Sequence, residues 1–237
     1  MGDEMLALEF TAGSPFARAV RILLDELGLE YRRIELDAAP SAERADGFPT
    51  LQVPALSDGE LKLWESGLIA DYLLKTYPAR RKSAPPLAGS LWRQGSEWRD
   101  KLVFSTIQTF GTAVTTISQM TWTGVRVTAN GHLDRCADRA QAILVWLENE
   151  LSEDVPGFLP GLLSAQDIFL ASHIRFVEAR PIGLDLGLER LPGIASLLAA
   201  LDQRESFLAN PVWWWDEAVT GYAPDGQPLY EPQPSGG

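Results

Sequence analysis

Val53-Pro54-Ala55-Leu56, followed nine residues after Leu56 by Glu65-Ser66 at the head of an apolar-periodic stretch, decides how the N-terminal part of this chain folds. A proline inside an apolar, strand-like run has no amide to give a sheet ladder, so it belongs at an edge or bend, where cis prolyl bonds occur. Neighbouring backbone groups are then open to an outside peptide. Upstream, Leu6-Ala7-Leu8-Glu9-Phe10 reads as a strand that ends in Thr11-Ala12-Gly13-Ser14-Pro15, where a helix begins. Strand, hydroxyl-bearing turn and helix N-terminus together suggest a site for a small anionic thiol peptide.

Working outward, residues 16 to 27 carry apolar side chains at 19, 20, 23, 24 and 27, a helical spacing, and Gly28 supplies the stop. Arg32-Arg33-Ile34-Glu35-Leu36 is the next strand, completing a β-α-β unit. After a loop from Ala38 to Phe48, two short strands flank the turn signal Ser57-Asp58-Gly59. A helix over Ser66 to Thr76 follows and stops at Tyr77-Pro78, giving β-β-α. From Leu87 strand signals vanish and helical patterns run to about Leu208. Within them, Ser164-Ala165-Gln166-Asp167 reads as a capping box, with Leu163 stapling onto Ile168. The expected division is a first domain over 1–79, a linker over 80–86 holding Arg80-Arg81-Lys82, an all-helical domain over 87–220, and a Pro- and Gly-rich flexible tail over 221–237.

Composition narrows the function classes. The chain has 237 residues, 46% of them hydrophobic, and no apolar run long enough to span a bilayer. Its formal net charge of -12 repels phosphate backbones and argues against nucleic acid as a partner. Met1-Gly2-Asp3-Glu4 is acidic where a signal peptide would be basic, and the lone Cys136 excludes an internal disulfide; both suit a cytoplasmic protein with no membrane partner. His132 and His173 show no metal-ligand spacing, so no metal is expected, and Cys136 reads as a packing residue.

The residues able to carry chemistry cluster in the first domain. Ser14 precedes Pro15, a favourable first helical residue, so its hydroxyl lies beside free amides at the positive end of a helix, where a thiol's pKa falls. Ser14 equally suits a simple N-cap, and Thr11 offers a second hydroxyl. Val53 is placed to pair with a short peptide in strand fashion while Pro54 holds the edge open. Glu65 would meet an ammonium, and Ser66 with the first helical amides a carboxylate.

In order, spacing and motif, these residues make the chain resemble the glutathione S-transferase superfamily over nearly its whole length. Ser14-Pro15-Phe16-Ala17-Arg18-Ala19-Val20-Arg21 is similar to the helix start of cytosolic, serine-type, bacterial-like members, whose serine hydroxyl hydrogen-bonds the glutathione thiolate. Val53-Pro54-Ala55-Leu56 resembles the cis-proline motif that pairs with the cysteinyl backbone of glutathione, Glu65-Ser66 the pair that holds its γ-glutamyl group, and Ser164 to Asp167 the folding motif of the helical domain.

The resemblance implies an α+β, thioredoxin-like N-terminal domain followed by an all-α domain, with glutathione as co-substrate. It implies conjugation of the thiolate to a small apolar electrophile, with Ser14 catalytic and Gln52, Val53, Pro54, Glu65 and Ser66 binding glutathione. Ala12, Gly13, Phe16, Phe104, Gln108 and Trp122 are the expected electrophile pocket. Trp213-Trp214-Trp215 is read as core or as a domain or dimer seam, with an aromatic lid as the alternative. A homodimer is implied, with the helix at Ser66 and the helix after Leu87 in the interface.

Two departures stand out. Phe48-Pro49-Thr50-Leu51-Gln52 replaces the Asn-Pro-x-x-Lys pattern of many members, so a charged contact to the glycyl carboxylate would fall to Arg18 or Arg44. No cysteine stands near Ser14, which disfavours the thiol-transferase branch. The rival expectations are a non-catalytic binding or assembly module on the same fold, and isomerase or dehalogenase chemistry on the same thiolate.

Overall fold

Alternating apolar residues and one proline-bounded hairpin build the N-terminal sheet. In a computed structural model that describes residues 6–37, 48–152, 157–213, 219–222 and 228–230, the chain begins with β1 (Ala7–Phe10), α1 (Pro15–Leu27) and β2 (Arg32–Glu35). It continues with β3 (Ala55–Asp58), β4 (Leu61–Trp64) and α2 (Ser66–Thr76). The strand order is β2-β1-β3-β4, with β1 parallel to β2 and antiparallel to β3, and β3 antiparallel to β4. This is the thioredoxin-like arrangement. Leu8 opposite Leu56 sets the register that sends both side chains, with Phe10, into the core shared with Ile22 and Leu23 of α1 and Ile69 and Leu73 of α2. α1 ends on Gly28, whose φ of 69° is the left-handed conformation of a helix stop. The hairpin turn falls on Gly59-Glu60, so Ser57 and Asp58 belong to β3 rather than to the turn.

A helical C-terminal domain follows: α3 (Glu97–Trp122), α4 (Gly131–Glu148), α5 (Ala165–Glu178), α6 (Pro192–Leu201) and α7 (Glu205–Leu208). The buried core runs continuously from the sheet through α1 into these helices, and α1 packs directly on α5. Around that seam, Arg18 Nε donates to the Asn210 carbonyl at 2.7 Å, and Arg204 Nη2 meets the buried Glu26 carboxylate at 2.9 Å. The segment joining the two parts is pinned at both ends: the Arg80 amide donates to Leu27 O at 2.9 Å, and Leu87 bridges Leu163. Arg81 pairs with Glu205, so the basic triplet is not wholly free in solvent.

The capping box forms as its residues dictate. The Asp167 amide donates to Ser164 Oγ at 3.1 Å, and the Asp167 carboxyl receives the Ser164 amide at 2.8 Å. Leu163 and Ile168 are both buried beside it. The tail departs from its expected looseness, because β5 (Val219–Tyr222) and β6 (Pro228–Tyr230) pair as an antiparallel hairpin. Trp214, Trp215 and Arg44 lie outside the described residues. Among the described residues no helix is long and apolar enough to cross a membrane.

Candidate functional site

Two helices of the N-terminal domain begin at the same cavity. Ser14 caps α1 in extended conformation, with φ -79° and ψ 121°, and its Oγ accepts the Ala17 amide at 3.2 Å. Pro15 at the first helical position gives up no needed amide, which leaves the hydroxyl as the polar group nearest the positive end of the helix. The turn before it is tied by Arg180, just past the C-terminal end of α5, which donates through Nη2 to Gly13 O at 3.0 Å and to Trp213 O at 2.9 Å. The guanidinium of Arg180 also stacks on the Phe176 ring, 3.8 Å from its centroid.

α2 begins differently. Glu65 is its N-cap with φ 66° and makes no capping bond through its side chain, so the amides that follow are left to the cavity. Leu51 has φ 54°, and among the described residues it and Glu65 are the only non-glycine residues with positive φ. Both line the cavity, which fits the tendency of strained backbone to gather at binding sites. Between them the Val53-Pro54 bond is cis. Ser66 is the first helical residue, as its place at the head of the apolar-periodic stretch implies, and is buried.

The cavity measures about 940 Å³. Of the residues singled out in the sequence, its walls hold Thr11, Gly13, Ser14, Phe16, Gln52, Val53, Pro54, Glu65, Ser66, Gln108 and Trp122. Three expectations fail. Ala12 sits in the turn but not on the wall. Phe104 is buried under α2, its ring against Phe169 with centroids 5.1 Å apart; a Cβ added at Gly67 would stand 3.1 Å from its edge. Phe104 and Gln108 share a helical face by spacing, but the cavity stops at Gly67, one turn short of Phe104. Arg18 cannot reach a glycyl carboxylate: it is buried in the α1–α5 seam, bonded to Asn210 and facing Phe207 at 5.4 Å. Burial there pushes its guanidinium down to about 10, still protonated at neutral pH.

Most of one wall, apart from Gln108 and Trp122, was not expected from the sequence. α3 contributes Gln108, Thr112, Thr115, Thr116, Ser118 and Gln119 to the cavity before Trp122, while Phe176 and Arg180 face it from α5 and its C-terminal end. The signal was present as hydroxyl and amide residues at i, i+4, i+7, i+8 and i+11 from 108, a polar stripe along one face of the helix.

His173 and Cys136 stay structural. His173 is fully buried among the rings of Phe16, Phe110 and Phe169, with no hydrogen-bond partner on either nitrogen, and burial pushes it down to about 3. Cys136 is buried on α4, its Sγ 3.7 Å from His132 Nε2. Among the described residues no three His, Cys, Asp or Glu side chains gather as a metal site.

Residues 8–81 match the model of the glutathione S-transferase N-terminal domain. A glutathione S-transferase-like protein, gedE, of Aspergillus terreus is 39% identical over 69 residues, which are 27% of this chain; the match spans 30% of that relative's length. A glutathione S-transferase of Methylobacillus flagellatus, solved with glutathione bound, superposes with a TM-score of 0.72 at 20% identity, covering 86% of this chain and 98% of that one. One from Methylobacterium radiotolerans, in complex with glutathione sulfonate, gives a TM-score of 0.69 at 23% identity over 86% and 93% of the two chains. Residues 8–81 thus match the N-terminal domain of glutathione S-transferases, and the fold that this domain makes with the helices behind it is the fold of the solved glutathione S-transferases.

Proposed function

We propose that the protein binds glutathione in the cavity between the two parts of the fold and transfers its thiolate to a small electrophile. One observation carries this: the α1 cap Ser14, the cis Val53-Pro54 edge and the start of α2 at Glu65-Ser66 converge on a single cavity. Val53 offers strand-like pairing to the peptide backbone. Ser66 and the α2 amides take the γ-glutamyl carboxylate, and Glu65 its ammonium. Gln52, exposed at the cavity edge, donates to the glycyl end.

Ser14 then stands at the sulfur. A hydroxyl donor and the N-terminal end of a helix both favour the thiolate over the thiol. Holding the electrophile beside that sulfur supplies the rest of the rate. The glutathione complex of the Methylobacillus protein and the glutathione sulfonate complex of the Methylobacterium protein support glutathione as the ligand here. The proposal includes a cytoplasmic homodimer that covers the outer face of α3, supported by Trp98 and Leu102, which stand 81% and 49% exposed. Light scattering of the purified protein reads that part directly.

Isothermal titration with glutathione tests the proposal. Wild type binds with micromolar to millimolar affinity, and Ser66→Ala weakens binding about tenfold or more, the worth of one charge-assisted hydrogen bond. No heat from wild type at ~10 mM glutathione, where even a ~1 mM site is nearly filled, would overturn it and leave a binding module of another kind.

A further inference from the structure

The stripe on α3 sets what the electrophile must look like. Six of the side chains that α3 turns into the cavity are hydroxyls or amides, and Trp122 closes the row. Their hydrogen bonds tell donors from acceptors. Thr112 Oγ1 donates to Gln108 O at 3.0 Å, Thr115 Oγ1 to Gly111 O at 2.8 Å, and Thr116 Oγ1 to Thr112 O at 2.8 Å. Each hydroxyl proton is thus spent on the helix's own backbone, and each oxygen keeps lone pairs for a ligand. The threonines form a row of acceptors. The amide of Gln108 is the complement: its Nε2 is buried with no hydrogen-bond partner, 3.2 Å from where a Cβ on Gly67 would stand. A buried donor left unpaired costs free energy that a turn of the amide towards a ligand oxygen would recover.

We infer that the electrophile is polyoxygenated, with hydroxyl donors for Thr112, Thr115 and Thr116 and a carbonyl-type acceptor for Gln108, rather than the small apolar compound the sequence suggested. This inference rests on the proposed function for the reaction, and on the wall alone for selectivity. An apolar ligand would strip water from the threonine oxygens without replacing it and leave Gln108 Nε2 unpaired, which is the situation in which a site discriminates strongly. For an enal, the reaction balances without a leaving group. The glutathione sulfur bonds to the β-carbon, the alkene electron pair moves through the conjugated system to the carbonyl oxygen, and the thiol proton returns to the α-carbon. A donor such as Gln108 Nε2 is suited to the oxygen on which that charge gathers.

A matched pair of unreactive analogues separates wall from chemistry: 3-(3,5-dihydroxyphenyl)propan-1-ol and 3-phenylpropan-1-ol, titrated into the full chain with S-methylglutathione present and absent. Wild type should bind the dihydroxy compound about tenfold more tightly, and Thr112→Val/Thr116→Val, which keeps shape and loses the acceptors, should bring the ratio to about one. Equal binding by wild type, or preference for the phenyl compound, would overturn the inference. A ratio unchanged in the double variant would also overturn it. Glutathione titrated into the same samples reports the proposed function separately, because the analogue ratio needs neither glutathione nor turnover. Where turnover is found, 3,5-dihydroxycinnamaldehyde should exceed cinnamaldehyde in kcat/KM by about the same factor, each corrected for its uncatalysed rate.

Discussion

Ser14 and Ser164 cap two helices, and the contrast between them separates folding from function in this molecule. Ser164 is fully buried, and its box is closed on itself. Its amide and hydroxyl both donate to Asp167 Oδ2, at 2.8 and 2.7 Å, while Phe158 donates its amide to Oδ1 at 3.0 Å. Ser14 makes one capping bond, at 3.2 Å, and otherwise faces the cavity. Both are serines before a helix, and by sequence each is equally a cap. What differs is what surrounds the oxygen: that of Ser164 has its partners inside the fold, whereas that of Ser14 has room for a ligand.

The sharpest way to break the contrast is at Asp167. Asp167→Ala strands the Phe158 and Ser164 donors in the interior and should cost about 3 to 5 kcal/mol of stability. Denaturant unfolding checks the cost, and glutathione titration of the folded fraction should show unchanged affinity. A loss of affinity without loss of stability would erase the distinction between the two caps.

His173 lies on the same helix as the closed cap but has no partner, and so offers a second test. Its pKa is lowered to about 3 in the folded state by burial, against about 6.5 for a free imidazole. Below the free value the unfolded chain takes up a proton that the folded one refuses. The stability is therefore present above pH ~6.5 and lost as pH falls towards ~3. Between pH ~7.5 and ~5, wild type should lose about 2 kcal/mol relative to His173→Leu. Urea midpoints of the two proteins at both pH values measure this, and parallel pH profiles would show that His173 has a partner after all.

The smallest effect on stability belongs to the open cap. Ser14→Ala should cost about 1 kcal/mol, the usual worth of one capping bond, while turnover with any accepted electrophile falls far more steeply. Equal losses of stability and turnover would make Ser14 a structural residue only.

Much of this was legible along the chain because it is local. The apolar spacing in α1, its stop at Gly28, the capping box and the Val53-Pro54 edge depend on neighbours within a few residues, and each forms where its residues point. The failures are of longer range. Arg18 has the sequence look of an exposed helical cation, and only the arrival of Asn210 and Phe207 buries it. Arg180 supports the turn before Ser14 from 167 residues away, a contact that no local pattern announces. Phe104 and Gln108 lie on one face of α3, and where the cavity ends between them is decided by Gly67 on another helix. The N-cap role of Glu65 depends on a positive φ that a glutamate does not advertise.

The titration of the bound thiol tests the open cap most directly. Thiolate absorbance of glutathione, followed against pH with saturating wild type and with Ser14→Ala, reads the pKa of the sulfur in the site. The bound thiol should titrate well below the free value of about 8.5 in wild type and move back towards it in Ser14→Ala. A bound thiol that titrates at about 8.5 in both proteins would mean that the cavity holds the peptide without activating it, and that Ser14 is a cap like Ser164.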